Sequence, residues 1–351
     1  MSVLITGGAG YIGSHMVLEC VDHGEDVVVI DNLVTGFDWA VSPKAKLVVG
    51  DVGDSALVEQ TIKEFNVDTI VHFAGSVVVP ESIENPLKYY ENNTCRTRTL
   101  IETAVRCDVK QFIFSSTAAV YEAPTSLRAV DETAPLVPAS PYGMSKLMSE
   151  TMIRDVATAH QMRYVMLRYF NVAGADPAGR IGLSTRGATH VMKLACEAAV
   201  GKRPYFEVYG TDYDTADGSA IRDFIHVSDL ANAHYVALQF LRDGGLKFTC
   251  NAGYSQGNSV LDVIAAVKRI SGSDFEVRYK DRRTGDIPAI VADASRMMKR
   301  LDWRPRYTNL DTIVEHALAW EKKLGERSDE KPHAPPIAPD IQSLTDKVSL
   351  V

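Results

Sequence analysis

The sequence has no long apolar run, no excess of basic charge and no paired cysteine motif, and each absence removes a class of protein. No apolar run reaches the ~18 residues that a membrane-spanning helix requires. A net charge of −8 over 351 residues leaves no basic footprint for nucleic acid. The five cysteines, Cys20, Cys95, Cys107, Cys196 and Cys250, are odd in number and never form C-x-x-C. They read as reduced thiols of a cytoplasmic protein, and no metal site is expected. The opening "MSVLITGG" is an apolar strand with no basic start and no cleavage site, so no signal peptide is expected.

What is present is ordinary for a globular protein, with 46% hydrophobic and 23% charged residues. The length suggests two domains, or one large α/β domain with a lobe attached. Strand-like runs "SVLIT", "DVVVID", "KLVVGDV", "DTIVHFA", "QFIFSS" and "RYVMLRYF" are nearly continuously apolar, as strands covered on both faces are. Helix-like segments over 12–24, 54–65, 86–107 and 141–160 separate them. This alternation predicts an α/β fold, a Rossmann-type doubly wound parallel sheet with right-handed crossovers. After residue 175 the chain becomes rich in Gly, Asp, Thr and Tyr, which suits a smaller C-terminal α/β lobe. The expected division is a dinucleotide-binding domain over 1–175, a substrate-binding lobe over 176–326 and a tail over 327–351, disordered or laid on the surface. Residues 222–242 read as a strand and a helix that rejoin the first domain, with Ser228 as the helix N-cap.

The stretch "ITGGAGYIGSH" lies between the first strand and the first helix. Gly8, Gly10 and Gly13 match G-x-G-x-x-G, while Gly7, Gly10 and Gly13 give G-x-x-G-x-x-G. Such glycines permit a tight turn and close approach to a diphosphate at a helix N-terminus. A plain strand-to-helix turn would read the same, but the position at the chain start favours the cofactor. Asp31 ends the second strand, where a carboxylate can bind the adenosine-ribose hydroxyls and repel a 2′-phosphate. Asn32 follows it with no arginine nearby, so NAD is favoured over NADP. Asp51, ending the third strand, is placed to meet the adenine amino group. Ala74 and Gly75, after the fourth strand, let a cofactor pass over the backbone; each of these could equally be a simple strand end.

In "SPYGMSK", Ser140 reads as an N-cap and Pro141 as the first helical residue. Tyr142 then lies in the first turn and Lys146 one turn later on the same face. A free tyrosine has a pKa near ~10. An adjacent ammonium and a cationic nicotinamide would favour its phenolate, which could take a proton from a sugar hydroxyl. Y-x-x-x-K also occurs by chance on many helices. Here "FSSTAAVY" places Ser115, Ser116 and Thr117 at the sheet edge just before it, and a hydroxyl there could bridge substrate and Tyr142.

With these motifs, and with "HFAG", "ESIENPLKYYENN", "RYFNVAGA", "YGTDYDTADGSAIRDFIHVSDLA" and "RTGDIPAIVADAS", the chain resembles the extended short-chain dehydrogenases/reductases. Within them it is similar to the UDP-glucose 4-epimerases, from Val3 to about Trp320. The resemblance implies Tyr142 as catalytic base, Lys146 on the nicotinamide ribose and Thr117 as the hydroxyl that is commonly serine. It implies cofactor contacts extending to Tyr11, Ile12, Val52, Phe73, Asn93, Ser115 and Tyr169. It implies that NAD⁺ takes hydride from C4 of a UDP-hexose, that the 4-keto sugar turns over, and that hydride returns to the other face.

For the substrate, the resemblance implies Arg222 and Arg283 on the diphosphate, Asn171 as an amide contact, Asp286 on the uridine ribose, Tyr209 near uracil and His190 near the diphosphate. Two departures stand out. Val77 replaces a lysine often found in relatives, removing a cationic contact. Ile290, where relatives carry tyrosine or a small residue, is intermediate in size, leaving UDP-GlcNAc open beside UDP-glucose and UDP-galactose. UDP-glucuronate 4-epimerisation also stays open. Ala118 and Ala119 follow Thr117 where dehydratases carry an acid–base pair, which argues against dehydration; decarboxylation on the same scaffold is another runner-up. A non-catalytic NAD sensor could dispense with the Tyr–Lys pair that this chain keeps. A homodimer through the 86–107 and 141–160 helices is the family expectation.

Overall fold

The structure is a computed structural model that describes residues 1–124, 126–283 and 286–328. Its strands are β1 Ser2–Thr6, β2 Asp26–Asp31, β3 Lys46–Val49, β4 Val67–His72, β5 Gln111–Thr117, β6 Arg163–Tyr169, β7 Asn171–Ala173, β8 Tyr205–Tyr209, β9 Ile221–His226, β10 Lys247–Ala252, β11 Gly257–Ser259, β12 Glu276–Lys280 and β13 Ala289–Ile290. Its helices are α1 Tyr11–Asp22, α2 Ser55–Glu64, α3 Val79–Glu84, α4 Pro86–Tyr89, α5 Arg96–Arg106, α6 Pro141–Ala159, α7 Val191–Ala199, α8 Val227–Arg242, α9 Val260–Ser271, α10 Ser295–Leu301 and α11 Leu310–Ser328.

Seven parallel strands form the large sheet in the order β10-β6-β5-β4-β1-β2-β3. Every residue of β1 and β5 is buried, which is why these runs lack polar alternation. One face is covered by α1, α8 and α10, with Met16, Val17, Leu230, Ala233, Met297 and Trp303 in its core. The other is covered by α2, α5 and α6 through Val58, Ile62, Leu100, Ala104, Ile153 and Ala157. The strand order reverses between β1 and β4, and ligands of such sheets bind beyond the strand ends at that point.

The smaller lobe holds β11-β9-β13 with β7 paired to β9, and a separate β12-β8 pair. Its core gathers α7, α9 and α11 around Phe206, Val208 and Phe224. The expected strand-and-helix return at 222–242 divides between the two parts. The strand β9 stays in the lobe sheet, while α8 crosses to pack on α1. The large sheet takes its seventh strand, β10, from inside the range expected to be lobe, because Phe248, Cys250 and Ala252 complete the apolar face under α8.

Three local expectations need correction. The 86–107 helix is not one regular element: a π-helical segment over Tyr90–Cys95 interrupts it. Ser228 does not cap α8; the cap is His226, whose Nδ1 accepts the Ser228 N–H at 3.0 Å. Beyond Lys323 the chain continues as helix to Ser328, and the remainder of the tail lies outside the described residues.

One carboxylate ties the two parts at their junction. Asp229 is 1% exposed. It accepts the Tyr254 hydroxyl at 2.5 Å and the backbone N–H groups of Arg306 and Tyr307 at 3.0 and 2.8 Å. Asp229→Asn turns one acceptor oxygen into a donor facing those donors. Urea denaturation is expected to show a loss on the order of 2–3 kcal/mol; an unchanged midpoint would place the junction's strength elsewhere.

Candidate active site

The glycine loop and the loop after β4 meet at the switch point. Gly7 has φ +71°, and a Cβ there would stand 2.6 Å from the Ala74 nitrogen. A Cβ on Gly13 would stand 2.1 Å from the Gly7 oxygen. Gly10 is the N-cap of α1, and the backbone of Gly10, Tyr11 and Ile12 forms the helix start. Side chains are thus excluded from a cradle at a helix N-terminus, the form a diphosphate requires. Asp31 is buried at its edge, accepting the Ala9 and Leu33 N–H groups at 2.9 Å each. Burial raises its carboxyl above the ordinary range, although both hydrogen bonds oppose the rise.

Further along the same edge, Asp51 accepts the Gly53 N–H at 2.8 Å and pairs with Arg96. Asn32 donates to it at 3.4 Å. The carboxylate expected to meet adenine is therefore already engaged, with Arg96 a partner that sequence reasoning missed. Val52 and Asp31 are buried beside it, and Phe73 packs on the buried His234 ring at 4.6 Å. These residues fit a dinucleotide laid across the strand ends from Asp31 to Gly75.

Ser140 caps α6 by accepting the Gly143 N–H at 3.2 Å, with Pro141 in the first turn. Tyr142 and Lys146 follow on one face, each 6% exposed, and Thr117 ends β5 nearby at 7%. The Lys146 Nζ lies 4.3 Å over the centre of the Phe114 ring. Burial pushes the Tyr142 phenol well above its ordinary value, Tyr169 adds to the rise, and a hydrogen bond with Thr117 opposes it. Burial brings the Lys146 ammonium down to about 7, with Glu150 opposing. Lys146 alone therefore does not ionise Tyr142, because desolvation of both groups dominates. The positive charge that would do so has to arrive with a bound ligand.

The π segment carries Asn93 inward. Its side chain accepts the Ser76 N–H at 2.7 Å and donates to the Ser76 carbonyl at 2.9 Å and to Ser145 Oγ at 3.1 Å. Asn93 thereby fastens the loop after Gly75 to α6. Extra residues of this kind inside helices concentrate at functional sites. Tyr89 is fully buried with its hydroxyl 2.7 Å from both the Val78 carbonyl and Glu81 Oε2. Its ring meets that of Tyr142 edge-on at 6.3 Å. Sequence reasoning missed Tyr89, Glu81 and Ser145; only the i, i+3 spacing of Tyr142 and Ser145 hinted at one of them. Ser115 of β5 and Tyr169 of β6 lie on adjacent strands at the sheet edge, where Ser115 Oγ is buried without a hydrogen-bond partner among the described residues and burial raises the Tyr169 phenol.

On the lobe side the candidate substrate residues fall into pairs. Arg222 lies 3.6 Å from Asp286, and the Arg283 guanidinium stacks 3.8 Å over the Tyr209 ring. The Tyr209 hydroxyl donates to Glu207 at 2.6 Å. Asn171 opens β7, in register with Phe224 of β9. His190 starts α7, with its Nδ1 buried and lacking a hydrogen-bond partner. It lines a small cavity of about 20 Å³ with Tyr11, Gly174 and Lys193. The Tyr11 hydroxyl is spent on the Gly174 carbonyl at 2.7 Å. Ile290 pairs in register with Arg222 and packs on the cluster of Ala118, Val120, Tyr121 and Phe170. Val77 is 54% exposed beyond the β4 end. No group of three or more His, Cys, Asp or Glu among the described residues could hold a metal ion.

Comparison with known proteins places these features in company. The model of the NAD dependent epimerase/dehydratase family matches residues 3–253. A UDP-glucose 4-epimerase of Azospirillum brasilense is 50% identical over 322 residues, covering 92% of this chain and 92% of that protein. The crystal structure of UDP-glucose 4-epimerase from Bifidobacterium longum with NAD⁺ and UDP superposes with TM-score 0.87 at 37% identity, over 92% of this chain and 98% of that one. The UDP-Glc/GlcNAc 4-epimerase of Campylobacter jejuni does so with TM-score 0.80 at 44% identity, over 92% and 99%.

Gly13→Ala tests the cradle. Its methyl would enter the Gly7 carbonyl, so dinucleotide released on acid denaturation of the purified variant should fall at least about tenfold, a loss of ~1.4 kcal/mol in binding. An undiminished yield with a native circular dichroism spectrum would rule the cradle out.

Proposed function

The chain belongs to the NAD dependent epimerase/dehydratase family, and from that premise we propose that it interconverts UDP-glucose and UDP-galactose by inverting C4 through a transient 4-keto-hexose. It is an isomerase, and NAD is its cofactor. The observation that carries this reading is the buried Thr117–Tyr142–Lys146 group beside a glycine cradle that has no room for side chains. When bound, NAD supplies a reversible hydride acceptor for C4 and is regenerated in every turnover.

The chain's own residues do the rest. Tyr142 accepts the O4 proton and later returns it, while Thr117 orients that oxygen. Lys146 holds the nicotinamide ribose and, in its charged form, favours the Tyr142 phenolate. Arg222 and Arg283 grip the diphosphate, a task suited to the guanidinium fork. Asp286 and Tyr209 take the uridine, and Asn171 and His190 line the passage between uridine and hexose. Ala118 and Ala119 have no proton to give, so the keto intermediate is not dehydrated. Ile290, packed against Ala118 and Phe170, stands beside the sugar's 2-substituent and admits UDP-GlcNAc as a second substrate pair.

The free cysteines favour a cytoplasmic setting, and no helix among the described residues is long and apolar enough to cross a membrane. A homodimer pairing α5 and α6 with their copies fits Met148, which is 41% exposed on α6.

Tyr142→Phe should lower the rate of UDP-galactose conversion by roughly 10²–10⁴-fold while NAD is still released at about one per chain on denaturation, as expected of a resident cofactor. Unimpaired conversion would remove Tyr142 from the chemistry, and no conversion by the unaltered protein would remove the reading. Ile290→Tyr should depress UDP-GlcNAc conversion while sparing UDP-glucose; equal rates in both proteins would dismiss Ile290 as a filter.

A further inference from the structure

Beneath Lys146 lies a buried charge that the mechanism above does not use. Tyr142, Lys146 and Glu150 succeed one another at intervals of four residues on α6, so they share one face. Glu150 is fully buried. Its Oε1 accepts the Ser116 hydroxyl at 2.6 Å and Arg168 Nε at 2.9 Å, and its Oε2 accepts Arg168 Nη2 at 2.6 Å and Arg154 Nη1 at 3.2 Å. Arg168 is in turn held by the Tyr121 hydroxyl at 3.1 Å, and Tyr121 donates to Asn251 at 2.7 Å. This network joins β5, β6, β10 and α6 directly under the Thr117 edge. No hydrogen bond or ion pair among the described residues reaches the Lys146 Nζ, so its nearest ionic neighbour along α6 is this carboxylate.

We propose that Glu150 is a positioning residue for the epimerisation that acts through Lys146: clamped by Ser116 and Arg168, it fixes a negative charge one turn below the ammonium, and Arg168 sets how much of that charge Lys146 feels. The proposal rests on the function assigned above. A fully satisfied carboxylate cannot rotate away, so its field is preorganised rather than induced. In a poorly solvated region a charge one helical turn away acts with far less screening than in water. Burial draws Lys146 down to about 7, and Glu150 is the one influence opposing it. Without Glu150 the ammonium would be lost at lower pH still, and the other titratable ring coupled to it, His72 of β4, is held neutral by burial and offers no opposing charge.

The sign of the effect distinguishes this role from a purely structural one. Glu150→Gln keeps the side chain's shape and its acceptor oxygen but removes the negative charge. Arg168→Gln removes the buried cation that offsets it and leaves only the more exposed Arg154 as a cation on that carboxylate. Two readouts apply to each variant: the pH dependence of kcat for UDP-galactose conversion, and the titration of the Lys146 ε-carbon resonance in ¹³C-lysine-labelled, cofactor-stripped protein, assigned with Lys146→Met. Glu150→Gln should move the high-pH limb of kcat and the Lys146 midpoint to lower pH by roughly one unit, a tenfold change in the charged fraction. Arg168→Gln should move both to higher pH. Midpoints that stay in place, or that shift in the same direction in both variants, or a kcat reduced by one factor at every pH, would overturn the proposal. Failure of both variants to fold would make the network purely structural and overturn it as well. An unaltered protein that epimerises nothing would instead sink the functional reading, which the resonance titration does not depend on.

Discussion

The phenol of Tyr142 and the ammonium of Lys146 stand one turn apart on α6 with almost no access to water, and desolvation outweighs every other influence on both. Burial disfavours the charged form of each, so the phenol rests protonated and the ammonium titrates near neutral pH. For Lys146 the consequence for stability has a definite sign. Its pKa in the fold lies below its ordinary value, so the protonated form costs stability below about pH 7, and that cost is relieved as pH rises toward the ordinary value. A ligand that brings a positive ring and hydroxyl acceptors to this place changes the balance for both groups at once. On the proposed function, cofactor binding and activation of the base are then one event, and a dinucleotide that never leaves keeps the site permanently prepared.

Much of the arrangement is legible in the sequence because it follows from local rules. Continuous apolar runs such as "QFIFSS" can be stable only between two layers. The glycines at 7, 10 and 13 stand where a Cβ would strike the backbone, and Ser140 with Pro141 marks a helix start that the structure keeps. What escaped notice is non-local. The resemblance singled out Asn93, but not the π geometry of six residues that turns it inward, for which "YYENNTC" offers no pattern. Arg96 and Asp51 are 45 residues apart, and nothing in either neighbourhood announces the pair. His226 displaces Ser228 as cap because its Nδ1 accepts the Ser228 N–H while its Nε2 is hydrogen-bonded to His316 Nδ1 at 3.0 Å, 90 residues away. Spacing put Lys146 beside Tyr142 but could not report how completely both are cut off from water, which is why burial raises the phenol and the ammonium does not offset it.

The lobe completes the site by backbone pairing rather than by side-chain clasps. At Ile221 and Arg222, β9 is flanked by β11 on one side and β13 on the other, and from Phe224 to His226 it pairs with β7, so Asn171, Arg222 and Ile290 are fixed in one hydrogen-bonded register. Asp223, fully buried next to Arg222, accepts the N–H groups of Tyr254, Ser255 and Ala292 at 3.0 to 3.2 Å. Burial raises its carboxyl to about 6 against those three bonds. The fold therefore accepts an awkward buried acid to lock β13, and with it Ile290, to the edge of the cleft.

Epimerisation asks for two opposite qualities within one pocket: a nucleotide held still and a hexose free to turn. The chain separates them in space. Paired, multiply restrained polar groups, Arg222 with Asp286 and Arg283 over Tyr209, sit on the lobe. Near Thr117 the side chains of Ala118, Val120, Phe170 and Ile290 pack as one apolar cluster, so on the proposed function the hexose is backed by groups that form few directional bonds to a sugar. A polar wall there would bind one face of the keto intermediate better than the other and trap it. An apolar wall leaves the two faces nearly equal in energy, which a reversible inversion at C4 requires. On the proposed roles, the same separation accounts for Lys146 and Glu150 lying buried on α6 beneath the sheet edge: they would set the base without touching the sugar that must rotate past it.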